Sequence, residues 1–307
     1  MTLRTIICRA AALMPAVFVC LAALNAPVAA GVIVEQRGEA TFEASWYPRS
    51  AAFDGQENSF FHVEVQPELS VFDDTTEWIL QPRISGGTAG VGVADFREAH
   101  VASRIGEIDV LVGNTILFWG KVESYNPADV VNSLNYSRGL MRSEKLGAPI
   151  VRVSLPIGSG QLDLLAIDFV KNIYPSQSLR EHVGTRIGKQ VSFSGGASKS
   201  DIGHAARLST YYGDVDLGLS WFRGISNAPR LVPQSNGILQ PDYSRINQLA
   251  LDIQYLRGDT AFKGELIHRK GQYDRLGAFK NYRAGVLGLE HSLYDFASSG
   301  GDLILLT

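Results

Sequence analysis

The sequence predicts an all-β chain folded as an antiparallel up-and-down transmembrane β-barrel, and three observations predict it. Apolar and polar residues alternate with a period of two along most of the chain, the connections between these segments are short and long in turn, and aromatic residues gather at segment ends.

Alternation is the strongest of the three. One parity of residues 60–71 reads Phe61, Val63, Val65, Pro67, Leu69, Val71; the other reads Phe60, His62, Glu64, Gln66, Glu68, Ser70. Successive side chains of a strand point to opposite faces, so one face is apolar and the other wet, a pattern no helix produces. Ala40, Phe42, Ala44 and Trp46 repeat it against Thr41, Glu43 and Ser45, and Trp78, Leu80, Pro82 and Ile84 against Glu77, Ile79, Gln81 and Arg83. Val151, Val153 and Leu155 oppose Arg152 and Ser154; Leu208, Thr210 and Tyr212 oppose Arg207, Ser209 and Tyr211. Val215, Leu217, Leu219 and Trp221 form another such row, as do Leu249, Leu251, Ile253 and Tyr255, then Phe262, Gly264, Leu266 and His268. Residues 96–105, 160–170 and 281–291 have mixed parity and are assigned as strands partly from their spacing. The total is about twelve strands and a stub, and single-chain bacterial barrels take an even number.

The connections supply the second signal. Asp73-Asp74-Thr75, Gly106-Glu107-Ile108, Ile157-Gly158-Ser159-Gly160, Gly213-Asp214 and Gly258-Asp259 are short. Residues 49–59, 85–95, 119–148, 171–203, 224–245 and 270–280 form long ones that alternate with them. A membrane barrel segregates loop length by end in this way, and a soluble sandwich has no reason to. Trp46, Trp119 and Trp221 fall where strands enter long loops, and Trp78, Tyr212 and Tyr255 near short turns, as two interfacial girdles require.

Residues 1–30 read as a signal peptide. Arg4 and Arg9 precede an apolar run from Ala10 to Leu24, and Val28-Ala29-Ala30 sets the cut before Gly31, leaving a barrel domain over 31–307. Both cysteines, Cys8 and Cys20, lie in that segment, so the remainder has no disulfide framework and no cysteine metal site. Taking away Arg4 and Arg9 moves the formal charge from −3 to −5, without the basic face that nucleic acid requires. Beyond residue 31 no apolar run reaches the roughly 20 residues of a membrane helix, which says nothing against a barrel. Mean hydropathy of +0.02 suits strands that show lipid only every second residue.

Charged residues of the polar parity are Glu43, Glu64, Glu98, Arg104, Arg152, Arg207, Asp252, Lys263, Glu265 and Arg269. Facing lipid near the midplane, an Arg or Lys costs about 2–4 kcal/mol, so these face a wet lumen. Both signs are present, which argues against strong ion selectivity; pairing that braces a plugged lumen is the alternative. Asp201, His204 and Ser209 could suggest a hydrolase, but His204 and Ser209 differ in parity and would point apart. The six histidines show no ligand spacing, no phosphate loop occurs, and no cofactor is implied.

One stretch carries a resemblance. Val112-Gly113-Asn114, then Phe118-Trp119-Gly120-Lys121, then Asn126-Pro127-Ala128-Asp129, together with the hairpin rhythm, resembles porin-like outer-membrane barrels of Gram-negative bacteria. The resemblance implies passage of small hydrophilic solutes across the outer membrane, outer-membrane lipid around the chain, and insertion by the barrel-assembly machinery. It also implies that the third long loop enters the lumen, making Lys121, Glu123, Asp129, Arg138 and Arg142 the constriction candidates. Asn126 and Pro127 are expected to start a short helix there, with Asp129 at its positive end. Such barrels usually finish on an aromatic residue, whereas this chain ends Leu303-Ile304-Leu305-Leu306-Thr307 in mid-strand, which predicts a truncated form of a larger barrel. A non-conducting structural or adhesive barrel, and a barrel hydrolase, remain the alternative functions.

Overall fold

The computed structural model describes residues 31–307 apart from 89, 91, 124, 181–183, 275 and 296–300; the signal-peptide expectation for 1–30 lies outside the described residues. The strands are β1 (Ile33–Trp46), β2 (Ser59–Phe72), β3 (Thr76–Gly87), β4 (Val93–Ile105), β5 (Ile108–Thr115), β6 (Leu134–Asn135), β7 (Glu144–Lys145) and β8 (Ala148–Ile157). They continue as β9 (Gly160–Ile167), β10 (Ser192–Ser194), β11 (Gly203–Tyr212), β12 (Val215–Ile225), β13 (Arg230–Pro233), β14 (Leu239–Arg257), β15 (Thr260–Tyr273), β16 (Phe279–Leu293) and β17 (Leu303–Leu306).

A single antiparallel path runs β1-β2-β3-β4-β5-β8-β9-β11-β12-β14-β15-β16-β17, so twelve long strands and one short one match the count expected from alternation. The first and last strands do not pair with each other, and the sheet is open. β10 and β13 add to the first part of β14, while β6 and β7 form a separate small ribbon. Register runs unbroken from Ile33↔Phe72 to Trp46↔Ser59 between β1 and β2, and from Val215↔Tyr255 to Ile225↔Arg245 between β12 and β14.

Exposure is inverted relative to a water-soluble protein. Along β14, Leu249, Leu251 and Ile253 are 51, 41 and 39% exposed, while Gln248, Ala250 and Asp252 between them are 1, 2 and 0% exposed. In β15 Leu266 is exposed while Lys263, Glu265 and Arg269 are buried. Apolar side chains belong inside when the solvent is water, so this surface fits a hydrocarbon surround with the polar face turned to the interior. The same division holds in β3, where Trp78, Leu80 and Ile84 are exposed and Arg83 is fully buried.

The short connections explain themselves locally. Gly106, Gly158, Gly213 and Gly258 open two-residue turns with φ of +66, +57, +57 and +57°. Glycine at the first position of such a turn matches the twist of the flanking strands at no Cβ cost. At the turn after β2, Asp73 Oδ1 accepts the Thr75 and Thr76 amides, both at 2.9 Å, and these bonds hold its carboxyl below the ordinary range.

Three sequence expectations need correction. The connections expected at 85–95, 224–245 and 270–280 shrink to 88–92, 226–238 and 274–278, because β3, β4, β14, β15 and β16 continue past the apolar belt. Parity in 96–105 is mixed because the β3–β4 register shifts at Gln81/Pro82, so Asp95 and Glu98 face the same side. Trp119 is not an interfacial aromatic: it is 4% exposed, inside, among Val130, Ile150, Leu165 and Phe222. Leu165 and Ile167 pack in that same internal cluster, which is why residues 160–170 did not alternate cleanly.

Candidate functional site

The connection from β5 to β8, residues 116–147, folds against the polar face of the sheet. It contacts strands from β1 to β15 at once, which only a curled sheet permits: Arg138 donates to Glu43 of β1 at 2.6 Å, and the Lys121 amide donates to Glu265 of β15 at 2.8 Å. Ala128 and Val130 are wholly buried, and Asn132 is 1% exposed.

Glu265 is the principal anchor. Its Oε1 accepts the amides of Lys121 and Val122 at 2.8 and 2.9 Å, and its Oε2 accepts that of Ala128 at 3.2 Å. Gly120 has φ +89°, and a Cβ there would lie 2.5 Å from the Glu265 carboxylate, so only glycine lets the chain wrap this closely. Beside it, Gln248 donates to the carbonyls of Pro127 and Ala128, and Arg269 donates to Gln248 Oε1 at 2.6 Å. The Trp-Gly and Asn-Pro-Ala-Asp pieces of the sequence pattern are therefore two sides of one turn around a buried carboxylate.

Asn132 secures the far side of the loop. Its amide donates to the Thr115 and Leu146 carbonyls at 3.0 and 2.9 Å, and its oxygen accepts the Leu117 amide at 2.9 Å. Asn172, in the connection after β9, braces the loop, with its Oδ1 accepting the Leu134 amide at 2.9 Å and the Tyr243 hydroxyl accepting the Asn172 amide at 2.9 Å. The helix expected at Asn126 and Pro127 is absent. Asn126 Oδ1 instead accepts the Asp129 amide at 3.0 Å and closes a single turn, because the following residues are drawn to Glu265 and Gln248 rather than into a helical ladder.

The five constriction candidates all lie on this inner loop. Lys121, Glu123, Asp129 and Arg138 line a cavity of about 740 Å³ between the loop and the inner faces of β1, β2 and β4. Arg142 is joined to Glu43. Lys121 lies 3.7 Å from Asp216, and Glu123 takes a proton bond from Lys263, which holds its carboxyl low. Asp129 pairs with Lys145 in a nearly dry position, where burial pushes the carboxyl up against the pull of the ammonium, and pushes the Lys145 ammonium down.

The lumen candidates divide into three groups. Glu64 lines the cavity, and Glu98 Oε1 accepts the Ile116 amide at 3.0 Å. Arg207 and Asp252 form a buried two-bond ion pair at 2.7 and 2.9 Å, Lys263 bridges Glu123 and Glu290, and Glu265 and Arg269 hold the loop. Arg104 sits at the short-turn end, largely exposed and paired with Asp109, and Arg152 shares the inner parity of Ile150 and Ser154 on β8. Sequence reasoning missed Arg83, which bonds Asp95 at 2.8 Å and Glu144 at 3.0 Å while fully buried, and missed Phe118, which is 75% exposed to the cavity beneath the Lys145 ammonium. Ser209 and His204 face opposite sides of β11, and Asp201 is engaged by Arg245 at 2.5 Å, so the three do not converge.

No protein-family model and no curated sequence matches the chain. Among solved structures it is similar in fold to OmpF of Salmonella typhi in complex with daunomycin, with a TM-score of 0.43 and 9% identity over 90% of this chain and 83% of that one. It is similar to OccK11 of Pseudomonas aeruginosa, with a TM-score of 0.47 and 11% identity over 85% of this chain and 59% of that one. A third likeness is to the outer membrane channel DcaP of Acinetobacter baumannii, with a TM-score of 0.43 and 11% identity over 87 and 76% of the two chains.

Proposed function

We propose that the chain is the wall and constriction of a porin-like outer-membrane channel through which small hydrophilic solutes diffuse down their gradients. The observation that carries this reading is the inverted exposure of the strands, with Leu249, Leu251 and Ile253 outside and Gln248 and Asp252 inside. A sheet with an apolar exterior and a polar interior is stable only in lipid, where its edges must also be satisfied by closure. Residues 1–30 direct export, 31–307 form the barrel domain, and the assembly machinery inserts it. The solute path runs through the charged cavity beside the inner loop, where Lys121, Glu123, Asp129 and Arg138 are among the lining residues and set the charge met by the solute.

A second reading, a plugged structural barrel, draws support from the side of the loop that faces β8 to β15. There Trp119, Val130, Ile150 and Phe222 pack into an apolar cluster, and the cavity lies against β1, β2 and β4 instead. Planar lipid bilayers separate the two readings. Purified, protease-resistant protein should give discrete ohmic conductance steps; folded protein that inserts without any step would leave the plugged barrel standing and remove the channel.

A further inference from the structure

The charges around the cavity are unevenly neutralised. Every basic side chain of its lining has a carboxylate within 4 Å: Arg97 and Arg138 meet Glu144 at 3.8 and 3.3 Å, Lys121 meets Asp216 at 3.7 Å, and Lys145 meets Asp129. The acidic lining residues Glu123, Asp129 and Glu144 are consumed in these and the Lys263 pairs. Glu39 and Glu64 are not. Among the described residues neither has a Lys or Arg nitrogen within 4 Å. Glu39 accepts only the Thr41 hydroxyl at 3.1 Å.

Glu64 is the more telling of the two. Its side chain is 4% exposed, its Oε1 accepts the side-chain amide of Gln66 at 2.5 Å, and its Oε2 has no hydrogen-bond partner among the described residues, with His62 Nε2 3.9 Å away. A buried carboxylate oxygen without a hydrogen-bond donor is costly unless something positive reaches it. Glu39 and Glu64 both belong to the inward parity of adjacent strands, where Glu64 pairs with Thr41 and Glu39 with Gln66, so the two carboxylates stand on one wall two residues apart in register.

We propose that this wall makes the channel prefer cations, with Glu64 and Glu39 as the residues that set the preference. The inference rests on the channel reading. Mobile cations, or the ammonium group of an organic solute, find at Glu39 and Glu64 two carboxylates with no lysine or arginine nitrogen within 4 Å, Arg83 and Arg138 acting on Glu64 only from further off, whereas the lysines and arginines of this cavity's lining are each paired with a carboxylate. Fixed charge of one sign along a pore wall is the usual source of ion preference, and salt weakens it.

The test is the reversal potential of the full chain in planar bilayers under a potassium chloride gradient at low ionic strength. The wild type should reverse on the cation-selective side. Glu39→Gln and Glu64→Gln should each reduce the potassium-to-chloride permeability ratio, the double variant by about twofold or more, and Glu39→Lys further still. Glu39 is exposed, so its variants test the idea even where Glu64→Gln impairs folding. Absence of any conductance in inserted protein would remove the channel itself. Open channels that reverse on the anion side, or a double variant with the wild-type ratio, would overturn the cation preference alone.

Discussion

Replacing Glu265 by alanine is expected to unseat the inner loop, lowering the free energy of unfolding by about 3–5 kcal/mol and raising single-channel conductance severalfold. The carboxylate satisfies the amides of Lys121, Val122 and Ala128, all within 3.2 Å, at a site where Glu265 is 1% exposed. Each buried donor left without an acceptor costs about 1–3 kcal/mol, less whatever water repays on entering the space. Glu265→Gln keeps one acceptor oxygen and should lose about half as much. Gly120→Ala should move both readouts in the same direction, since its φ of +89° disfavours a side chain and its Cβ would lie 2.5 Å from the Glu265 carboxylate and 2.4 Å from the Asn126 side chain. Denaturant unfolding in lipid vesicles and bilayer recordings measure the two effects. Wild-type stability together with wild-type conductance in Glu265→Ala would show that the loop is held by something else.

The second large effect is expected at the Arg207–Asp252 pair. Asp252 is fully buried and Arg207 is 8% exposed, and the two meet by a pair of hydrogen bonds across the intervening strand β12. They can do so because the residue between them is Gly218, whose Cβ would lie 2.4 Å from both partners. Asp252→Ala leaves a guanidinium buried without its counter-charge, and should cost about 3–5 kcal/mol. Removing both charges is different in kind: Arg207→Met with Asp252→Leu eliminates the desolvation cost along with the attraction, and should recover most of the loss. A double-mutant comparison by denaturant titration decides it. A double variant no more stable than Asp252→Ala would mean that the pair contributes well beyond offsetting its own desolvation.

What the sequence made legible follows the range of the interactions involved. β2 and the 248–257 and 262–269 parts of β14 and β15 were readable because each lies between lipid and a polar interior, so local parity alone records the environment. β9 was harder to read because its inward Leu165 and Ile167 meet the apolar underside of a loop, not water. A single inserted residue near Arg97 shifts the phase of β4, and no local pattern distinguishes that bulge from a loss of strand character. The loop itself was placed by resemblance, and four of its five charged candidates, Lys121, Glu123, Asp129 and Arg138, line one cavity, while Arg142 does not. Its anchors were out of reach: the partners of Glu265 lie 137 to 144 residues earlier in the chain, and nothing near Glu265 in sequence announces them. Trp119 was misassigned for the same reason, since its position at the end of β5 looked like an interface until the chain turned inward at Gly120.

Single cysteines placed one at a time from Gln248 to Tyr255, in protein with Cys8 and Cys20 replaced by serine, test the central claim most directly. Each cysteine is labelled with a fluorophore in lipid vesicles and challenged with quenchers confined to the acyl chains or to water. The account predicts that positions 249, 251, 253 and 255 are quenched from the lipid and positions 248, 250 and 252 are not. Uniform quenching from water at all eight positions would contradict it.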